Sequence, residues 1–250
     1  MPKQYSHRLF KNYNKTHVAY LDTENKIDWF REYAKNNYLF FLKGREKSSS
    51  RILEIGCNKG YLLYVLSEFG YQNLSGIDLS DDDIIVAKKM NPNSHIECID
   101  AFSYLQDISN TFDVIILKAV LEHVPKEDIF PLLNLIHNSL KSGGIVIIDV
   151  PNMDWLFASH ERYMDYTHET GFTRESIAQI LRNVFVDVSV YKGNAVLSYR
   201  GILSKMKYYL RPIILSIIHI ILIIIGEGAS DVWWSNRSII ATGIKEEDVP

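Results

Sequence analysis

The stretch Leu53–Tyr61, LEIGCNKGY, decides how this chain is read. Glu54 sits between two apolar residues, and glycines at 56 and 60 bracket a short polar turn. The run Ile52–Ile55 reads as a strand, and Tyr61–Phe69 after the turn reads as a helix. A turn of this kind, at the carboxyl end of a first strand, is where doubly wound sheets bind nucleotides. Glycines let a ligand approach the backbone closely, and a helix starting near Gly60 offers unpaired N–H groups. A dinucleotide would call for G-x-G-x-x-G, with its pyrophosphate on the helix N-terminus. The order here is Gly56-x-Asn58-x-Gly60, with Leu63 three places further on. Glu54 adds a negative charge where a pyrophosphate would be repelled and an amine attracted.

Outward from this turn, strands and helices alternate. Further β-branched runs lie at Leu74–Ile77, Ile96–Ile99, Val114–Leu117 and Ile145–Val150. Helix-like segments Asp82–Met90 and Asp128–Leu140 lie between them, with Pro131 near the start of the second. KSGG (Lys141–Gly144) is read as a helix stop. Repeated strand–crossover–strand units predict an α/β fold: a Rossmann-like, doubly wound, seven-stranded and mostly parallel sheet. The segment Phe172–Val184 is expected to be a helix with Thr173 as N-cap and Ser176 in its first turn. Phe185–Tyr191 and Ser238–Ile244 complete the strand set.

Two additions flank this core. Ile27, Phe30, Ala34, Tyr38 and Phe41 recur at helical spacing, which predicts a helix ending near Gly44. REKSSS (Arg45–Ser50) then reads as a linker, so residues 1–50 form an N-terminal helical cap on a domain covering 51–250. An insertion of about residues 192–236 separates the last two strands. It contains Ile213–Ile225, IILSIIHIILIII, which is interrupted only by Ser216 and His219. A spanning helix needs about 20 apolar residues, so this segment is read as a buried or dimer-forming helix, or as a peripheral membrane contact.

Composition narrows the function classes. Hydrophobic residues make up 47% and charged ones 23%, enough apolar material for a full core. A formal net charge of −3 argues against a nucleic-acid substrate, which usually leaves a basic footprint. The two cysteines, Cys57 and Cys98, do not make a disulfide framework, and MPKQYSHRLF has no apolar core of a secretory signal. The expectation is a cytoplasmic protein, with or without association with the inner face of the membrane.

The ends of the second and third strands carry the next candidates. Asp78 in GIDLS lies 22 residues past Gly56, placed to accept both hydroxyls of a ribose. Asp100 in CIDAF can meet an adenine amino group, with Ala101 and Phe102 as a wall. An adenosine bearing an amino-acid-like cation and no phosphates describes S-adenosylmethionine. Simpler readings stay open: the glycines as turn residues, Asp78 as a helix cap, and Asp100 as the cap of AFSYLQ.

With these residues in order, the chain resembles class I S-adenosylmethionine-dependent methyltransferases. The stretches that carry the resemblance are LEIGCNKGYLL, GIDLS, IDAF, FDVIILKAVLEHVP and LKSGGIVIIDVPN, over about residues 50–190. The family usually has glycine where Asn58 stands. The resemblance implies that Glu54, Gly56, Asn58 and Gly60 hold the methionine end, Asp78 and Leu79 the ribose, and Asp100 and Ala101 the adenine. Leu117 and Lys118 would close the pocket floor.

Methyl transfer to a hydroxyl needs a nearly collinear approach and removal of a proton, by a base or by metal coordination. Candidates must cluster at the carboxyl ends of strands four and five. LEHVP supplies Glu122 and His123; SHERYMDYTHETGFTRE supplies His160, Asp165 and His168. Histidine with carboxylate is compatible with Mn²⁺, Fe²⁺ or Zn²⁺. E-H followed by H-x-x-x-F-T-R-E is similar to the metal-dependent methyltransferases of small-RNA 3′ ends. That resemblance implies a divalent cation (Mn, Mg or Fe) held by Glu122, His123 and His168. Those enzymes carry a further Glu where Ala119 stands, and His160 is the candidate substitute. Metal-free roles stay open, with His123 or His168 as base and Glu122 only orienting a neighbour. Asp165 is expected to support His168, and Arg162 and Arg174 to clamp an anionic part of the acceptor or to be surface charges.

ERYMDYTHETGFT with the apolar insertion also resembles methyltransferases of bacterial surface-polysaccharide pathways. This implies a small-molecule or glycan-precursor acceptor: a hydroxyl or phosphate-type oxygen of a capsule or lipopolysaccharide precursor, nucleotide- or lipid-linked. Other readings are a small-molecule or RNA 3′-end methyltransferase, or a degenerate, non-enzymatic scaffold. The segment 205–225 is the candidate membrane contact or homodimer surface.

Overall fold

The computed structural model of the protein describes residues 26–196, 202–225 and 232–247. The chain runs α1 (Lys26–Asn37), β1 (Arg51–Ile55), α2 (Tyr61–Glu68), β2 (Asn73–Asp78), α3 (Asp81–Met90), β3 (His95–Cys98) and α4 (Ala101–Leu105). It continues with β4 (Phe112–Lys118), α5 (Ile129–Ser139), β5 (Leu140–Pro151), α6 (Ala158–Tyr163), α7 (Arg174–Leu181), β6 (Val186–Lys192), α8 (Ile202–Ile225) and β7 (Ser238–Ile244). The seven strands form one sheet in the order β3-β2-β1-β4-β5-β7-β6. Strands β1 to β5 pair in parallel, and β7 runs antiparallel between β5 and β6. The fold is the expected seven-stranded, mostly parallel, Rossmann-like sheet.

Alternation along the central strands sends successive side chains to opposite faces. Leu53, Ile55, Ile115, Leu117, Val146 and Ile148 face one apolar layer, shared with α4, α5 and α7. Ile52, Val114, Ile116, Ile145 and Ile147 face the other, shared with α1, α2 and α3. These central residues are 0–7% exposed. Full burial of each such side chain stabilises the fold by about 1.5–3 kcal/mol. Both faces are covered, so the central strands are continuous apolar runs, as parallel sheets require.

Several expectations need adjustment. The first helix ends at Asn37, not near Gly44. Its Asn37 side chain bonds the Tyr33 carbonyl and both backbone groups of Asn194, and the chain leaves through turns. Tyr38 and Leu42 remain fully buried in those turns, so the apolar periodicity outlasts the helix. KSGG is not a bare helix stop; it forms the first part of β5, where the register against β4 shifts between Phe112 and Val114. The segment from Ala158 to Tyr163, which includes His160, forms a short helix that no sequence signal announced. Thr173 caps α7 with a reciprocal Ser176 bond, as its sequence suggests. Residues 1–25 of the expected cap lie outside the described residues, as do parts of the insertion.

Strand order reverses between β1 and β4, so their following loops diverge from one cleft. Gly56 opens the loop after β1 at φ 74°. A Cβ there would lie 2.3 Å from Cγ2 of Val120, in the loop after β4. Gly56→Ala therefore combines left-handed strain with overpacking. The expected loss is about 2–4 kcal/mol of unfolding free energy, read from urea denaturation.

Candidate active site

The loop after β1 is built by three hydrogen bonds to β2 and one within it. Gly56 and Cys57 N–H groups donate to the Ile77 carbonyl at 2.8 and 3.0 Å, and Asn58 N–H donates to Asp78 Oδ2 at 2.8 Å. Gly60 N–H donates to the Cys57 carbonyl and starts α2 from a left-handed conformation. Asn58 also sits in the left-handed region, at φ 51°. Asparagine tolerates it better than most residues, which accounts for its standing where a glycine is usual. Its side chain turns away to Asp83 Oδ2 on α3, at 3.0 Å.

Asp78 closes β2 and receives N–H groups through both oxygens, Asn58 on Oδ2 and Ser80 on Oδ1 (2.9 Å). Its carboxyl is nonetheless raised above the ordinary aspartate range, because burial outweighs those donors. The Leu79 N–H adds a third donor, and a carboxylate with about four acceptor sites keeps room for a hydroxyl. Leu79 beside it is half-buried. Asp100 is the N-cap of α4 and accepts the Ser103 N–H at 3.0 Å, so the capping role weighed from sequence is real. Ala101 is the first residue of that helix.

Glu54 is 3% exposed on β1, and its Oε2 has no hydrogen-bond partner. Burial drives its carboxyl well above the ordinary range, opposed by Lys118 and the Leu63 N–H. Lys118, at the end of β4, is half-buried; its ammonium lies 5.7 Å from the Trp29 ring and 5.0 Å from the Tyr33 ring. Leu117 is fully buried in the core, so of the expected pair only Lys118 presents a side chain at the cleft. Above it, Tyr33 and Tyr38 each donate a hydroxyl to Asp149 Oδ2 at 2.6 Å. These contacts fasten α1 across the carboxyl ends of β4 and β5.

The second constellation lies in the loop after β4. Ala119 adopts φ 52° and donates its N–H to the Asp149 carbonyl at 2.8 Å. A non-glycine residue in that conformation costs about 1–2 kcal/mol, and it turns the chain into the helical turn Leu121–His123. Glu122 is 2% exposed, and neither carboxylate oxygen has a hydrogen-bond partner. Burial pushes its carboxyl up to about 8. Its carbonyl accepts the N–H groups of Glu169 and Thr170, at 2.8 and 3.0 Å, which brings the 165–170 loop alongside.

That loop sets both imidazoles. Thr167 Oγ1 gives its only proton to Asp165 Oδ1 at 2.7 Å, so its contact with His123 Nδ1 (2.8 Å) has the ring as donor. His168 Nδ1 meets the Glu161 carbonyl at 3.0 Å, which only accepts. With these contacts the Nδ1 of each ring is the donating nitrogen, which leaves Nε2 as the accepting one in the neutral tautomer. The rings lie 4.8 Å apart between centroids, and ligand atoms of Glu122, His123 and His168 all lie within 4.8 Å of one another.

The sequence-derived set thus divides. Glu122, His123 and His168 come together. His160 does not join them: it is exposed on α6, and its neighbour Glu161 contributes the carbonyl instead. Asp165 supports His123 through Thr167, not His168. Arg162 donates to the His168 and Glu169 carbonyls, and Arg174 pairs with Glu175. The Arg174 guanidinium also lies 5.0 Å from the Trp233 ring. Sequence reasoning missed Asp149, Thr167, Glu161 and Arg237, whose guanidinium grips Glu161 through two 2.9 Å bonds. An acid ending the apolar run of β5 was a signal for Asp149; Arg237 lies 76 residues from Glu161 and gave none.

Comparison with known proteins bears on this geometry. A family model described as a methyltransferase domain matches residues 27–184, more than half of the chain. A ubiquinone biosynthesis O-methyltransferase of Bradyrhizobium diazoefficiens is 31% identical over 107 residues, 42% of this chain and 41% of that protein. The chain thus spans about two-fifths of that relative's length. A methyltransferase structure from Archaeoglobus fulgidus superposes with a TM-score of 0.63 at 20% identity, covering 89% of this chain and 97% of that one. The Haemonchus contortus phosphoethanolamine N-methyltransferase 2, solved with S-adenosyl-L-methionine, gives 0.59 at 22% identity over 95% and 60%. The cleft between the loops after β1 and β4 accordingly lies in a chain that belongs to the methyltransferase-domain family, with the class I, S-adenosylmethionine-dependent fold.

Proposed function

We propose that the chain is an S-adenosylmethionine-dependent O-methyltransferase that activates its acceptor oxygen at Glu122, His123 and His168. The observation that carries this reading is Glu122: a buried carboxylate without a hydrogen-bond partner on either oxygen, within 4.8 Å of ligand atoms of His123 and His168. A buried, uncompensated polar group costs several kcal/mol and persists where a ligand or reaction needs it.

S-adenosylmethionine supplies a methyl group on a sulfonium. On this reading Glu54 and the 56–60 loop receive its amino-acid end, Asp78 its ribose, and Ala101 with Asp100 its adenine. Lys118 eases the ionisation of both Glu54 and Glu122, against the burial that opposes it. As the acceptor O–CH₃ bond forms and the S–CH₃ bond breaks, the hydroxyl proton passes to the Glu122–His123–His168 group.

One carboxylate and two Nε2 atoms also fit a divalent cation of the Mn²⁺, Fe²⁺ or Mg²⁺ class. Such a cation would neutralise Glu122 and lower the pKa of a bound hydroxyl. The hydrogen bonds on Nδ1 are those that commonly orient metal-bound imidazoles. Metal-free base catalysis is the second reading, favoured by Ala119 standing where the small-RNA enzymes carry another carboxylate.

The acceptor is read as a hydroxyl or phosphate-type oxygen of a capsule or lipopolysaccharide precursor. Support comes from the apolar helix α8, whose foot lies on the acceptor side: Trp234 bonds His219 of α8 and the Leu156 N–H, and Arg237 holds Glu161. A small lipophilic hydroxyl compound is the second reading, favoured by the similarity to ubiquinone biosynthesis O-methyltransferases.

Asp78→Ala is expected to weaken S-adenosylhomocysteine binding by about 1–3 kcal/mol in calorimetry; unchanged affinity removes the ribose role. His168→Ala should abolish methyl transfer and leave that affinity intact. Chelation should likewise stop turnover and Mn²⁺ restore it; full activity after stripping leaves the base reading. Glu122 also predicts a pH signature. Its pKa is near 4.5 in the unfolded chain and about 8 in the metal-free fold. Its contribution to stability is therefore full below the lower value and lost as pH rises through the upper one. Glu122→Gln should flatten that fall in melting temperature and raise it at high pH, while eliminating activity.

A further inference from the structure

Helix α8 is 24 residues long, with Pro212 inside it and Ser216 Oγ bonded to the Pro212 carbonyl at 2.9 Å. It meets the body of the protein along one stripe: Leu215, Ile218, His219 and Leu222 are half-buried. His219 Nδ1 accepts the Trp234 indole N–H at 3.2 Å, which fixes the stripe inward. Ile213, Ile214, Ile217, Ile220, Ile221, Ile223, Ile224 and Ile225 point outward, 47–76% exposed. At 100° per residue these isoleucines spread over an arc of about 200°. No acidic residue occurs between Ile202 and Ile225.

The surroundings of the helix are cationic and aromatic. Arg174 and Lys192 approach the Trp233 ring, at 5.0 and 5.3 Å. Together with Ser216, His219 and Ser235 they line a groove of about 480 Å³ beside the helix. Within the helix itself, Arg211 is half-buried and Tyr209 exposed.

We infer that α8 lies in the surface of an anionic lipid bilayer, its isoleucine arc among the acyl chains and these cations level with headgroup phosphates. Two observations select lipid over a second copy of the chain. A helix packed on one partner needs an apolar stripe little wider than 100°, whereas an arc near 200° suits a continuous apolar phase. Basic residues and aromatic rings at the rim, with no acid on the helix, complement anionic headgroups and would oppose the same basic surface of a second copy. The apolar segment Ile213–Ile225 is about 20 Å long at 1.5 Å per residue, short of a bilayer core of about 30 Å. Among the described residues, no helix is long and apolar enough to cross a membrane. The helix therefore lies on the bilayer instead of passing through it. This inference stands apart from the acceptor reading, because lipid binding requires no methyl transfer.

The test is co-sedimentation of the full chain with vesicles. Equimolar phosphatidylcholine and phosphatidylglycerol should retain the protein several-fold better than phosphatidylcholine alone, with the difference shrinking at high salt. Ile217→Glu combined with Ile224→Glu should weaken retention at least about tenfold, with S-adenosylhomocysteine affinity unchanged as the check on folding. If the double variant fails that check, Ile224→Glu alone carries the comparison. Failure of the parent chain to bind either vesicle overturns the inference. So does a parent chain that is dimeric without lipid and becomes monomeric on substitution, with vesicle retention unaffected.

Discussion

The reversal of strand order between β1 and β4 governs this molecule. The connections after β1 and β4 leave toward opposite faces of the sheet, and the first residues of both loops border one cleft. Gly56 yields its Cβ position to Val120, two residues before Glu122. The loops after β1 and β4 are thus packed against each other, not merely neighbours, and on the proposed reading this contact sets the distance between the methyl donor and its acceptor.

Charge around the cleft is arranged by exclusion of water more than by pairing. Glu54 and Glu122 are both buried with orphaned oxygens, and burial raises both carboxyls. Lys118 is the cation they share. It is in turn covered by Trp29 and Tyr33, whose rings stack at 4.7 Å. One cation does not offset the burial of both carboxyls, so each stays raised. On the proposed reading, a ligand bringing its own amine and sulfonium would favour their ionised forms. Beyond the carboxylate, Asp165, Thr167 and the Glu161 carbonyl hold the Nδ1 atoms of His123 and His168 and so set the orientation of both rings.

The fold was legible in the sequence because its strands are buried on both faces and separated by helices of ordinary length. Long apolar runs such as IIL and IVIID left little choice, and Thr173 announced its helix. The Glu122, His123 and His168 grouping was legible for a different reason: residues of metal- and proton-handling type recur in two short loops that the topology must bring to one end of the sheet. What stayed hidden was support at long range or through backbone atoms. A carbonyl holding His168 has no sequence signature, and any residue at 161 could supply it. Asp165 was paired with the nearer histidine in sequence, yet a two-residue hydroxyl turn delivers it to His123. His160 failed as a candidate because helix α6, unannounced in its sequence, turns it outward. The end of α1 was misjudged since buried turns can keep helical spacing of apolar residues without helical backbone.

The two tyrosines on Asp149 join distant parts of the chain in one wall. Tyr33 on α1 shields Lys118 and donates to Asp149, and Tyr38 in the turn after α1 donates to the same oxygen. Loss of this segment would uncover the lysine and leave a buried carboxylate without two of its donors. The helix ahead of the sheet is therefore masonry of the cleft, not a detachable appendage.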